Sequence, residues 1–163
     1  MQSVCHVIKA DERYRSVIKH LMQFYIYDFS EYVDLDVEED GLYKEYPYLD
    51  DYWKDESYRF AYVLRNDENY IGFVLVRLVA AEEREYFSIA EFFIMRKYRR
   101  KGIGKAVAEQ MFNLHRGQWE VHQMESNKPA QVFWTKVINE YTKGQFKERI
   151  ENGKTIQTFE NYL

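Results

Sequence analysis

Apolar residues along the chain follow two different periods, and the switches between them mark its elements. Tyr14 to Tyr27 places Val17, Ile18, Leu21, Met22, Tyr25 and Ile26 at the three-and-four spacing of a helix face. Gly102 to His115 predicts a second helix, with Ile103, Val107, Met111 and Leu114 on one face and Gly117 ending it. Pro129 to Ile138 predicts a third, with the proline in the first turn, where a missing N–H costs nothing. Short apolar runs predict strands at Val4–Lys9, Phe60–Leu64, Tyr70–Val79, Glu85–Met95 and Trp119–Met124. The polar stretch Asn66-Asp67-Glu68-Asn69 joins two of these, and Asn152-Gly153 predicts a closing hairpin of Phe146–Ile150 with Thr155–Phe159. Glu31 to Ser57 is acidic and aromatic; it reads as a short helix plus loop, with Pro47 breaking anything longer. The order β, helices, three strands, α, β, α, hairpin predicts a mixed α/β layer fold on one sheet.

Composition narrows the class. A chain of 163 residues suits one domain, expected over 1–163, and an aromatic fraction of 18% supplies a packed core. One cysteine excludes a disulfide framework and a thiolate-built zinc site. No apolar run reaches the roughly 20 residues of a membrane span. The start, Met1-Gln2-Ser3-Val4-Cys5, lacks the basic and apolar regions of a signal peptide, so a reducing cytoplasm is the expected location. His6, His20 and His115 show no ligand spacing, so no metal is expected, and Cys5 reads as a small buried hydrophobe.

The net charge of −4 argues against general nucleic-acid binding. It hides a split: Glu31 to Glu56 carries eleven acids and two bases, whereas Arg96 to Lys105 carries six bases. Two solvated faces would explain this, as would a cation site and an anion site.

The basic segment lies where a strand runs into a helix: Phe92-Phe93-Ile94-Met95-Arg96-Lys97-Tyr98-Arg99-Arg100-Lys101-Gly102-Ile103-Gly104-Lys105. Glycine lets backbone approach a ligand closely, and the first N–H groups of a helix have no internal acceptor. The helix dipole adds about 0.3–1 kcal/mol for an anion there. Converging amides with Arg and Lys suit a diphosphate; a tight strand-to-helix turn would use the same glycines. A P-loop is excluded because Ala106 follows Gly104-Lys105 and position 99 is Arg, and a dinucleotide fingerprint fails at Val107.

Arg99-x-x-Gly102-x-Gly104, with Tyr98 before it and Lys101 and Ile103 within it, resembles the Arg/Gln-x-x-Gly-x-Gly/Ala motif of the GCN5-related N-acetyltransferase (GNAT) superfamily. Asn127-Lys128-Pro129-Ala130-Gln131-Val132-Phe133-Trp134 is similar to that family's Asn-x-x-Ala-x-x-Phe-Tyr block. The variant Phe133-Trp134-x-Lys136-Val137-Ile138 looks like a bacterial subgroup of predicted acetyltransferases. The resemblance implies the acyl-CoA N-acyltransferase fold: one mixed, mostly antiparallel sheet flanked by helices, with a splayed strand pair that binds coenzyme A. It implies acetyl-CoA as co-substrate, lying between the Glu85–Met95 and Trp119–Met124 strands. Amides near Phe93 and Ile94 would pair with pantetheine, and Arg99, Arg100, Lys101, Gly102, Ile103, Gly104 and Lys105 would form the diphosphate cradle. Asn127 would hydrogen-bond pantetheine or cap the following helix. Trp134 would pack on the cofactor.

The implied reaction moves acetyl from sulfur to an amine nitrogen. An alkyl amine of pKa about 10.4 leaves roughly one part in two thousand unprotonated at pH 7, so a proton acceptor is needed. Glu91 is the first candidate base, from its strand position. His122, an imidazole on the strand facing the presumed gap, is another; Ser88 would support a water chain. Trp134 stands where the family often has Tyr, and indole is a donor without usable acidity, so Tyr141 is the candidate replacement acid. The acidic, aromatic Glu31–Glu56 region would cover the acceptor, with Asp36, Asp50 and Asp51 attracting a cationic amine, small-molecule or peptide. A homodimer is the family-level expectation, and neither nucleic acid nor membrane is expected as a partner. A non-catalytic acyl-CoA binder or sensor is the alternative function.

Overall fold

Seven strands form one sheet in the order β1-β2-β3-β4-β5-β7-β6, in a computed structural model describing residues 4–162. The strands are β1 (His6–Lys9), β2 (Arg59–Arg65), β3 (Tyr70–Ala80), β4 (Glu85–Ile94), β5 (Gln118–Met124), β6 (Lys147–Glu151) and β7 (Lys154–Glu160). The helices are α1 (Arg15–Phe29), α2 (Ile103–Leu114) and α3 (Lys128–Thr142). Neighbouring strands run antiparallel except β4 and β5, which α2 connects as a parallel pair.

Local chemistry explains the connections. Asn66 accepts the N–H groups of Glu68 and Asn69 and so closes the β2–β3 turn. Asn152 and Gly153 both have positive φ, and Glu151 pairs with Lys154, giving the two-residue hairpin that Asn-Gly favours.

Two cores sandwich the sheet. On one face α2 and α3 bury Ile103, Val107, Met111, Phe112, Trp134 and Ile138 against strand residues including Val74, Val76 and Trp119. On the other, Ile18, Leu21 and Met22 of α1 pack with Ala61, Phe73, Leu75 and Phe93. Fully enclosed side chains such as Phe112 contribute about 1.5–3 kcal/mol each by removal from water.

Some boundaries differ from the pattern. The short helix of the Glu31–Ser57 segment is a 3₁₀ helix of five residues, Leu49–Trp53. In α2 the buried face uses Phe112, while Leu114 is 54% exposed because the helix ends there. His115, in extended conformation, ends that helix, so Gly117 is not its stop; its φ of 152° serves the entry to β5, where its N–H donates to Asn161. α3 runs four residues beyond Ile138, to Thr142, and ends at the left-handed Lys143. Among the described residues no helix is long and apolar enough to cross a membrane.

Candidate active site

The site begins with one extra residue in β4. Leu75 pairs with Glu91 and Val76 with Ile89, so Ala90 bulges out of the ladder. Strand side chains alternate between faces, and an inserted residue exchanges the faces beyond it. Phe87 and Ile89 before the bulge, and Phe92 and Ile94 after it, pack in the α2/α3 core, whereas Phe93 joins the α1 core. Glu91 shares the face of Phe93. An unbulged strand would turn its carboxylate into the apolar layer under α2 and α3.

The paired stretch of β4 and β5 stops at the same level. Their parallel pairing consists of Phe87 with Trp119 and Ser88 with Glu120, although β4 continues to Ile94 and β5 to Met124. The other edge of β4 stays tightly held. A Cβ at Gly72 would come within 1.8 Å of the Phe93 carbonyl oxygen, so only glycine permits this approach of β3 to β4. The Met95 N–H donates to the Ile71 carbonyl at 2.8 Å. By the two-residue alternation of an antiparallel ladder, the Phe93 amide belongs to the β3 side. The amides of Phe92 and Ile94 face the edge that is unpaired with β5. Of the two amides expected at the gap, Ile94's is therefore the one turned towards it.

A cavity of about 530 Å³ opens on the α1 face of this gap. Tyr25 and Tyr46 border it on one side, Arg77 and Glu91 form part of its wall, and His122 and Met124 line it from β5. Ser88 also lines it. The Glu91 carboxylate accepts a hydrogen bond from the Tyr25 hydroxyl and stands beside that of Tyr46. Burial pushes the Glu91 carboxyl above the usual carboxylate range, and the two hydroxyl donors only partly offset it. Burial together with the Glu91 charge raises both phenols, so they remain neutral donors.

His122 is held differently. Its Nε2 lies 3.2 Å from a carboxylate oxygen of Glu120, a residue only 2% exposed. Glu120 also accepts from Arg84, and an Arg149 nitrogen lies 3.4 Å away. Burial alone would raise the Glu120 carboxyl, but Arg84, His122 and Arg149 bring it below the usual range.

The basic loop sits beyond the end of β4. A 3₁₀ turn at Arg96–Tyr98 leads to Arg100 and Gly102, both at positive φ, and α2 starts at Ile103. Gly102, at φ 79°, meets the conformational demand that glycine satisfies without strain. The Ala106 N–H bonds back to the Gly102 carbonyl, so the amides of Ile103, Gly104 and Lys105 precede the first helical bond. Arg99 donates from Nε to the Ile94 carbonyl at 2.7 Å and pairs with Asp28, which also holds Arg96. Arg99 thereby ties the loop to β4 and α1. Lys105 pairs with Glu140. Arg100 and Lys101 are exposed and form no salt bridge among the described residues. A side chain at Gly104 would press on the Phe133 ring, 3.2 Å from its Cβ position.

The remaining expected residues lie elsewhere. Trp134 is 6% exposed and packs edge-on against Phe92, within the core. The Asn127 side chain accepts the Ala130 N–H and caps α3. The Tyr141 hydroxyl donates to Asn113 and accepts from Asn161, and Tyr141 is not among the residues lining the cavity. From the acidic segment only Tyr46 reaches the cavity; Asp50 is exposed and binds Arg15, and Asp36 is exposed. Cys5 is partly buried against the α2/α3 core, and burial pushes its thiol up.

The sequence reading missed Tyr25, Tyr46 and Arg77 as site residues. Tyr25 falls on the apolar face of a helix pattern, and Tyr46 in an aromatic, acidic stretch, so neither stood out. Arg77 carried a usable signal, as the single charge within Tyr70–Val79.

The profile of the Acetyltransferase (GNAT) family matches residues 14–138. The chain belongs to the GNAT acetyltransferase superfamily. No curated protein matches it. Among solved structures, an acetyltransferase from Thermus thermophilus is 14% identical, with 99% of this chain and 100% of that one covered at a TM-score of 0.67. The paia N-acetyltransferase of Thermoplasma acidophilum, in complex with coenzyme A, is 13% identical, with coverage of 97% and 99% and a TM-score of 0.61. Arabidopsis thaliana NAA60, in complex with acetyl-CoA, is 13% identical, with coverage of 96% and 98% and a TM-score of 0.63. At such identities the likeness shows the GNAT fold. Family membership supports an acetyl-CoA-dependent acyltransferase. Among the described residues no group of three or more His, Cys, Asp or Glu is placed to hold a metal.

Proposed function

We propose that this GNAT protein transfers acetyl from acetyl-CoA to a primary amine by direct attack, with Glu91 as the proton acceptor. One observation carries the reading: a carboxyl raised by burial stands on the wall of a cavity where β4 and β5 separate. A carboxylate with raised proton affinity suits removal of a proton from an amine of pKa about 10.

The residues divide the work along the sheet edge. The α2 amides and the exposed Arg100 and Lys101 suit the diphosphate of coenzyme A. The open β4 edge, with the Ile94 amide, suits the pantetheine arm as an added strand. Acetyl-CoA supplies the activated acyl group. Glu91 takes the amine proton as the nitrogen–carbon bond forms and the carbon–sulfur bond breaks. The next edge N–H, that of Phe92, supports the negative charge developing on the acyl oxygen. His122, fixed by Glu120, is the group across the gap suited to protonate the departing sulfur.

Thiol release with a panel of amines, paired with calorimetry of acetyl-CoA binding, tests this. Turnover that needs both acetyl-CoA and an amine supports it. Tight acetyl-CoA binding with no turnover on any amine would establish the binder or sensor instead, and no binding would remove both readings.

A further inference from the structure

The cavity wall carries positive charge that the protein itself does not answer. Arg77 of β3 lies opposite Arg59 of β2. The next pair along, Leu78 with Tyr58, is joined by a 2.8 Å backbone hydrogen bond, so Arg59 and Arg77 form the intervening non-hydrogen-bonded pair. Side chains approach most closely at such pairs, and like charges facing each other there are destabilising.

Among the described residues neither guanidinium forms a salt bridge, although thirteen ion pairs occur elsewhere. Arg59 lies over the Tyr52 ring, 5.7 Å from its centroid. Tyr52 brings no negative charge: its hydroxyl is buried without a hydrogen-bond partner, and its pKa is pushed up to about 12, chiefly by burial. Glu91 is the sole carboxylate among the residues lining the cavity; it accepts a hydrogen bond from Tyr25 and stands beside Tyr46. Lys154, which lines the cavity from β7, adds a further positive charge. A guanidinium fork facing a cavity suits a planar, bidentate anion.

Resting on the transferase reading, we propose that the acceptor amine carries a carboxylate, and that Arg77 is the residue that recognises it, with Arg59 reinforcing its charge. Leu75, opposite Glu91, and Arg77 are two residues apart on the same face of β3, an advance of about 7 Å. A molecule of amino-acid size spans from the base to the guanidinium. The acceptor's anionic end, rather than attraction to the acidic Glu31–Glu56 segment, then sets specificity.

The test compares amino acids with their methyl esters as acceptors, in wild type, Arg77→Met and Arg77→Lys. The free acids should be preferred by about tenfold or more in kcat/KM. Arg77→Met should raise KM for the acids about tenfold and change it for the esters less than about twofold. Arg77→Lys should retain part of the preference. Acetyl-CoA affinity should be unchanged, and Arg77→Met should melt no lower than wild type, since it relieves a like-charge pair. Equal turnover of acids and esters by wild type, or equal loss on both with Arg77→Met, would overturn the proposal while leaving the transferase reading intact. If no amine turns over, the transferase reading fails, and binding of N-acetyl amino acids against their methyl esters to CoA-saturated protein decides this one. Preference for the acid that depends on Arg77 supports it, and no preference overturns it.

Discussion

Glu91, half-buried, and Glu120, buried, are two carboxylates beside one strand gap, and their surroundings drive them apart. Both lose water. Glu91, on β4, receives only neutral hydroxyl donors, so burial wins and its pKa rises. Glu120, on β5, meets two guanidinium groups and an imidazole, and they outweigh burial. The first keeps its affinity for a proton and can act as a base. The second remains ionised and serves to hold His122. What separates a reactive carboxyl from a structural one here is the charge of the donors around it.

The sharpest way to break this comparison is Glu91→Gln. It should lower kcat/KM about 10²–10⁴-fold, the range for loss of a general base, and leave acetyl-CoA affinity within about twofold. It should also stabilise the fold at neutral pH. A carboxyl whose folded-state pKa is raised costs stability once pH exceeds its unfolded value, so the gain should vanish below about pH 4. Thermal unfolding of both proteins across pH reads this directly.

Glu120→Ala should act in the opposite direction. It should destabilise by about 1–3 kcal/mol at neutral pH, towards the lower end because Arg84 and Arg149 are nearly half exposed. A depressed pKa contributes stability above the ordinary carboxyl value and loses it as pH falls through the folded value. The gap between wild type and variant should therefore close on acidification, as measured by urea unfolding. If both substitutions moved the melting temperature the same way at neutral pH, the contrast would be wrong.

Tyr25→Phe is a smaller perturbation. It removes a donor that favours the ionised form of Glu91, so the acidic limb of the pH–rate profile should move to higher pH and kcat at neutral pH should fall a few-fold. An unmoved limb would mean that the profile reports another group. The smallest effect belongs to Gly102→Ala. Its Cβ would meet nothing within 4 Å, so only the positive φ penalises it, by about 1 kcal/mol, or about 2–4 °C in Tm.

The element order, the closing hairpin and the glycine-opened α2 were legible because they depend on local period and turn chemistry. The Arg99-x-x-Gly102-x-Gly104 motif pointed to the family for the same reason. The cavity was not legible, because it depends on register. Nothing local in Ile89-Ala90-Glu91 announces a bulge; its place shows only in the pairing with Leu75 and Val76. Once that residue is inserted, Glu91 turns to Tyr25, sixty-six positions away in sequence. The Arg59–Arg77 confrontation is likewise a property of two strands together. Asp36 and Asp50 do not line the cavity, because an acidic composition does not say which side chains a loop turns inward; both are exposed, and Tyr46 from that segment is the one that reaches it.

The most direct test is thiol release from saturating acetyl-CoA, with the best amine acceptor, from about pH 5 to about pH 9 in wild type and Glu91→Gln. Wild type should show an acidic limb above the ordinary carboxylate range, and the variant a rate at least about a hundredfold lower with that limb gone. A variant that kept the wild-type rate and the same limb would contradict the role of Glu91 as the base.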